Sequence, residues 1–223
     1  MYVRVQGIVK HVLTLVAMGD DEVSADLRTA AMAAVRNAAN AAPYAIRQDI
    51  LAHLPWSRMR ACLQGPDVQL ALYTWNLLQN LCHAIDGESF AVQVLQKSDE
   101  ELVPLALGII KGAQRRALGK GCALEGASAR SKIWGPTSCG QNRIRRARRT
   151  EHLERLESAN GAAPADADAK KVASALWVLN NIATSGDEQK VALMTAGIAQ
   201  VLPGCLQSDF ADVADTQDVR FIF

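Results

Sequence analysis

AMAAVRNAA (Ala31 to Ala39), TWNLLQNLC (Thr74 to Cys82) and ALWVLNNIA (Ala175 to Ala183) are the three stretches whose alignment decides the fold. Each carries one asparagine in register, namely Asn37, Asn80 and Asn181. In each, apolar residues stand two before and one after it, as Val35 and Ala38, Leu78 and Leu81, and Leu179 and Ile182. The match continues downstream. Cys62-Leu63-Gln64 precedes Gly65-Pro66-Asp67, and Cys205-Leu206-Gln207 precedes Ser208-Asp209. Asn37 lies 26 residues before Leu63 and Asn181 lies 25 before Leu206, so two landmarks agree within one residue. Self-similarity of this kind is the mark of stacked repeats, in which no unit buries its apolar face alone.

The period sets the unit. Asn37 and Asn80 are 43 residues apart, close to the roughly 40–47 of a two- or three-helix repeat. Asn80 and Asn181 are 101 apart, which reads as one unit plus about 58 inserted residues, because no further Asn-centred helix lies between them. Val5, Ile8, Val12, Leu15 and Val16 follow helical spacing and open the chain on an amphipathic helix. Helices are then predicted over 26–40, 45–54, 55–64, 68–84, 88–96, 99–112, 169–184, 187–196 and 198–207. Pro55 suits a first helical position, and Gly65-Pro66-Asp67 supplies a stop, a turn and an N-cap. Asp20-Asp21 and Asp99-Glu100-Glu101 read as acidic caps before helices. Each unit is thus two shorter helices and one longer one.

Composition agrees. The 223 residues hold 37 alanines, 24 Lys+Arg and 23 Asp+Glu, with 49% hydrophobic and 5% aromatic residues. That is too much apolar surface for a chain disordered throughout, and too few β-branched and aromatic residues in alternation for a β-sandwich or barrel. No uncharged apolar run of about 18 residues exists, so a membrane partner is not expected, and Met1 starts no signal peptide. The five cysteines, Cys62, Cys82, Cys122, Cys139 and Cys205, are odd in number and form no C-x-x-C pair. They fit a reducing compartment, cytoplasm or nucleus, and no metal site.

The run ALWVLNNIATSGDEQKVALMTAGIAQVLPGCLQSD (Ala175 to Asp209) resembles the armadillo repeat. It has an Asn-bearing third helix, a Gly turn, and "AGI" opening the next apolar helix. Asp67 to Leu81 and Asp26 to Ala38 resemble further third helices. The resemblance implies an all-α, right-handed superhelical solenoid of three-helix repeats. The armadillo repeats would occupy 1–111 and 169–223, the first and last incomplete, with a disordered basic insertion at 112–168. A narrower resemblance rests on LRTAAMAAVRNAANAAPYAIRQDILAHLPWSRMRACLQGPDVQLALYTWNLLQNLC (Leu27 to Cys82) and LWVLNNIATSGDEQKVALM (Leu176 to Met194). "LPW", "LLQNL" and Ile182-Ala183-Thr184-Ser185-Gly186 make these similar to the armadillo scaffold subunit of the GID/CTLH ubiquitin-ligase complex. That resemblance implies a non-catalytic subunit holding a substrate receptor against the ligase core.

The insertion is distinct in composition. Lys111 to Arg155 carries 12 Lys+Arg against three Glu, half of all positive charge in a fifth of the chain. Ser158 to Asp168 has linker composition. Arg143, Arg145, Arg146, Arg148 and Arg149 form a cluster that reads first as a solvated charge run. It reads next as a nuclear-import signal or acidic-partner contact, and last as a nucleic-acid contact, since only Trp134 is at hand to stack.

Nothing in the sequence suggests chemistry. His11, His53, His83 and His152 are dispersed, and no H-E-x-x-H, G-x-S-x-G or phosphate-loop motif occurs. Cys82 and His83 are adjacent on a helix and point about 100° apart, so they cannot form a nucleophile–base pair. Neither cofactor nor small-molecule substrate is expected, and the chain is read as no enzyme. Binding remains. Asn37, Asn76, Asn80, Trp177 and Asn181 are the groove candidates. An exposed Asn offers one donor and one acceptor to the amide of an extended peptide. Trp177 and Asn181, four apart, match the W-x-x-x-N pair that resembles the groove of nuclear-import armadillo adaptors. The asparagines could equally bond backbone in the neighbouring repeat. The expected function is protein scaffolding with ligase subunits. Cargo-peptide binding is the alternative, and nucleic-acid association through the insert ranks last. Val3 begins inside a helical pattern and Asp209 to Phe223 starts a helix with no polar cap, so a self-associating fragment is expected.

Overall fold

The computed structural model describes residues 2–19, 21–40, 42–84, 89–121 and 164–207. All regular structure among them is helical: α1 (Tyr2–Ala17), α2 (Ala25–Ala39), α3 (Tyr44–His53), α4 (Trp56–Gln64), α5 (Val68–Cys82), α6 (Ala91–Lys97), α7 (Leu102–Gly121), α8 (Pro164–Ala183), α9 (Asp187–Thr195) and α10 (Ile198–Gln207). Two helix starts are capped by side chains. The Ser24 hydroxyl accepts from the Leu27 N–H at 3.3 Å, and Asp67 Oδ1 accepts from the Leu70 N–H at 2.9 Å, each offsetting an otherwise orphaned donor.

The helices fall into layers. α3, α4 and α5 make one complete three-helix unit, and α6, α7 and α8 the next. α1 and α2 precede them, and α9 and α10 follow. The long helices run side by side through the stack, α2 on α5 and α5 on α8. This is the armadillo-type solenoid the repeats imply. The residues placed two before each asparagine, Val35, Leu78 and Leu179, are all buried, as are Leu81 and Ile182 one after it. They belong to one continuous apolar core that includes Met32, Trp75, Phe90, Leu102 and Ile110.

Side chains bind the layers through backbone. Arg58, on α4, donates to the carbonyls of Val16 at 2.9 Å and Met18 at 2.5 Å, closing the C-terminal end of α1. Lys97 at the end of α6 donates to the Leu51 carbonyl on α3. Gln114 on α7 donates to the Val201 carbonyl on α10 at 2.8 Å. Trp56 Nε1 and Arg60 on α4 both donate to the Glu101 carboxylate, each at 2.7 Å. Arg58 and Lys97 thus place positive donors on carbonyls at or near the C-terminal ends of α1 and α3, where helix oxygens lack partners.

Several boundaries move. α7 continues through Gly112 to Gly121, and α8 starts at Pro164, so helix occupies both margins of the 112–168 stretch. The physical reason at the first margin is packing: Ala113 is buried and Gln114 reaches α10. At the second, Pro164 sits at a first helical position, where its missing N–H costs nothing. The proposed disorder of 122–163, the basic cluster Arg143 to Arg149, and the helix expected from Asp209 lie outside the described residues. Asp99 and Glu100 do not open a helix; both take left-handed backbone (φ 50° and 61°), and α7 begins at Leu102. Glu101 accepts from Trp56 and Arg60 across the layers. On α1 the buried face is Val9, Leu13 and Val16, with Ile8 65% exposed, so the stripe is rotated from the predicted one.

Candidate interaction face on the third helices

α2, α5 and α8 carry the sequence-nominated residues, and the layer register brings them together. Asn80 Nδ2 donates to the Arg36 carbonyl at 3.1 Å, and Asn181 Nδ2 donates to the Gln79 carbonyl at 3.0 Å. Arg36 and Gln79 are the residues immediately before Asn37 and Asn80. One rule therefore generates both bonds: each asparagine amide reaches the carbonyl preceding the equivalent asparagine one layer earlier. Asn181 is 6% exposed and Asn80 half-buried, so much of each side chain is committed to holding layers together. We expect Asn80→Ala and Asn181→Ala each to lower the unfolding free energy by about 1 kcal/mol, and Asn37→Ala to change it little, as measured by urea unfolding.

Asn37 differs in position. It is exposed, and its Oδ1 accepts from its neighbour Arg36 (Nε 3.2 Å, Nη2 2.7 Å). The Arg36 guanidinium in turn lies 4.7 Å from the Tyr73 ring centroid on α5, a cation–π contact across layers. Asn76 is 8% exposed, and its Oδ1 accepts from the Ser174 hydroxyl on α8 at 3.0 Å. Trp177 is half-buried on α8. Tyr73, Arg36 and Ser174 were not singled out by sequence; an aromatic three residues before Asn76 and a basic residue before Asn37 were the available signals.

A second cluster sits inside the stack. Arg47 on α3 is 1% exposed, donates to the carbonyls of Leu81 and of His83 (2.6 Å to the latter), and lies 4.8 Å from the Phe90 ring centroid. Burial lowers its pKa, while its charge acts on the nearby Cys82 thiol. Cys82 is itself buried, and desolvation pushes its pKa up to about 12 against the opposing effect of Arg47. Cys82 therefore stays a thiol at neutral pH, unfit as a nucleophile. Above pH 9 the unfolded chain loses this proton while the folded chain keeps it, so stability falls from there toward pH 12. Alkylation read residue by residue should show Cys82 protected in the native protein, and Cys82→Ala should flatten the alkaline loss.

Among the described residues, no group of three or more His, Cys, Asp or Glu could hold a metal ion, and no helix is long and apolar enough to cross a membrane. No family model and no curated protein matches the chain. Among solved structures it is similar to a designed armadillo repeat protein, YIII(Dq)4CqI, at 14% identity and a TM-score of 0.37, over 97% of this chain and 91% of that one.

Proposed function

We propose that the chain is a non-catalytic protein–protein interaction scaffold, acting as an armadillo-type subunit of a GID/CTLH-type ubiquitin ligase in cytoplasm, nucleus or both. The observation that supports scaffolding is the row of third helices. Three neighbouring layers bring exposed Asn37 and half-buried Tyr73, Asn80 and Trp177 to one row, while buried Arg36 and Asn181 tie the layers together. Such a surface is rigid and repeats by layer, which suits an extended partner better than a small molecule. The ligase assignment rests on the likeness of Leu27 to Cys82 and Leu176 to Met194 to that scaffold subunit.

Affinity purification of the tagged full chain from cells tests both levels. The ligase reading expects ligase subunits to co-purify and to remain after deletion of 122–163. Recovery of unrelated protein partners instead keeps the scaffold and removes the ligase. Selective capture of Lys-rich peptides, lost in the Trp177→Ala/Asn181→Ala double variant, would replace it with cargo binding. Salt-sensitive retention of nucleic acid that disappears with 122–163 would move the activity to the insert.

A further inference from the structure

Each third helix has a backward row that meets the third helix before it and a forward row that meets the one after. On α2 the forward row includes Thr29, whose hydroxyl donates to Asp67 Oδ2 at the start of α5 at 2.8 Å, and Arg36, which takes Asn80 and Tyr73. On α5 it includes Asn76 and Gln79, which take Ser174 and Asn181 of α8. The same register positions on α8 are held by Ala173, Trp177 and Asn180.

No third helix follows α8 among the described residues, yet this row is covered. Ala173 is buried, Trp177 and Asn180 are half-buried, and Asn180 Oδ1 is fully enclosed. The forward rows of α2 and α5 look the same, with Arg36 and Asn76 buried beneath a neighbouring third helix. An uncovered row looks different: Leu27, Ala30 and Ala34 on the backward side of α2 are all exposed. α9 and α10 stand to α8 as α6 and α7 stand to α5, and on α5 it is α8 that meets the forward row.

Gln207 leads toward that face. α5 follows α4 across Gly65-Pro66-Asp67 and lies along α2. α10 holds the place of α4 in the layer beyond α8, Cys205-Leu206-Gln207 repeats Cys62-Leu63-Gln64, and Asp209 follows it much as Asp67 follows α4. Gln114 ties α10 to α7 through the Val201 carbonyl. Residues 122–163 instead join α7 to α8 within one layer and carry no such lead. Charge agrees. Residues 208–223 hold Asp209, Asp212, Asp215 and Asp218 against the single Arg220. Half-buried Lys170 and Lys171 stand beside Ala173, whose equivalent on α2, Thr29, meets Asp67.

We infer that residues 208–223 lie along α8 in the third-helix place, covering Ala173, Trp177 and Asn180 and setting Asp209 and Asp212 beside Lys170 and Lys171. The chain thereby closes its own last layer.

Hydroxyl-radical footprinting reads the cover one side chain at a time, in the full chain, in a chain cut after Gln207, and in one lacking 122–163. Oxidation of Trp177 should rise about twofold in the cut chain, as a half-covered ring becomes fully accessible, and should not change without 122–163. Fully buried Trp75 should stay protected in all three and reports that the stack is intact. If the cut chain exposes Trp75 too, the double substitution Phe210→Asp/Val213→Asp in the full chain takes its place, with the same rise expected at Trp177. Carbodiimide, which joins only touching amines and carboxylates, should link Lys170 or Lys171 to Asp209 or Asp212, and a mixture with isotope-labelled chain should show the link within one chain. Protection of Trp177 that survives both the cut and the double substitution would overturn the inference. Protection that depends on 122–163 would overturn it too, as would links that form only between chains.

Discussion

Arg47→Ala should lower the unfolding free energy by about 3–5 kcal/mol, the largest effect of any single polar substitution in the stack. The side chain is 1% exposed, and two carbonyls at the end of α5, Leu81 and His83, depend on it. Hydrogen bonds to a charged group are worth about 1.5–3 kcal/mol each, and the contact with Phe90 adds to them. The cost of burying the cation offsets part of this, and its depressed pKa records that cost. Removing the donor nevertheless takes a charged partner from both oxygens, the Leu81 one in buried surroundings. Arg47→Met keeps most of the packing and loses only the polar part, so it should fall between wild type and Arg47→Ala in urea unfolding. If Met equals wild type, the carbonyls find other donors and the argument fails.

Trp75→Ala should be equally severe, at about 3–5 kcal/mol, because the ring is completely buried at the middle of α5, between the layers of α2 and α8. The companion Trp75→Phe separates volume from polarity. Trp75 Nε1 is buried without a hydrogen-bond partner, so the indole carries a desolvated donor that phenylalanine lacks. Loss of ring area and relief of that donor oppose each other, and Trp75→Phe should cost no more than about 1 kcal/mol. A Phe variant as unstable as Ala would mean that the indole N–H does useful bonding. Thermal and urea unfolding of both variants decide the matter.

How much of this was legible in the sequence depends on the range of the interaction. Third helices were readable because Val35, Leu78 and Leu179 keep a fixed offset from an asparagine, and that offset is set by local helical geometry. Asp67 as a cap was readable for the same reason. The margins of the insertion were misread since Gly, Lys and Arg after Lys111, and Ala and Asp before Ala169, look like linker, whereas packing against α10 and a first-turn proline decide otherwise. Arg47 gave no signal at all. Its acceptors are backbone oxygens 34 and 36 residues away, and no side-chain pattern announces a carbonyl. Asn37, Asn80 and Asn181 share one register position in the sequence, but pattern alone could not choose between solvent and the previous layer. Only the register of α2, α5 and α8 shows their amides reaching back to Arg36 and Gln79.

Cohesion in this stack is written in main-chain atoms. The amides of Asn80 and Asn181 grip oxygens that every amino acid possesses, so these two bonds do not depend on whether arginine or glutamine supplies the carbonyl. Chemistry displayed outward can then drift, layer after layer, without loosening what lies underneath. A chain assembled in this manner is able to acquire a new client by altering a few side chains, and it need not relearn how to fold.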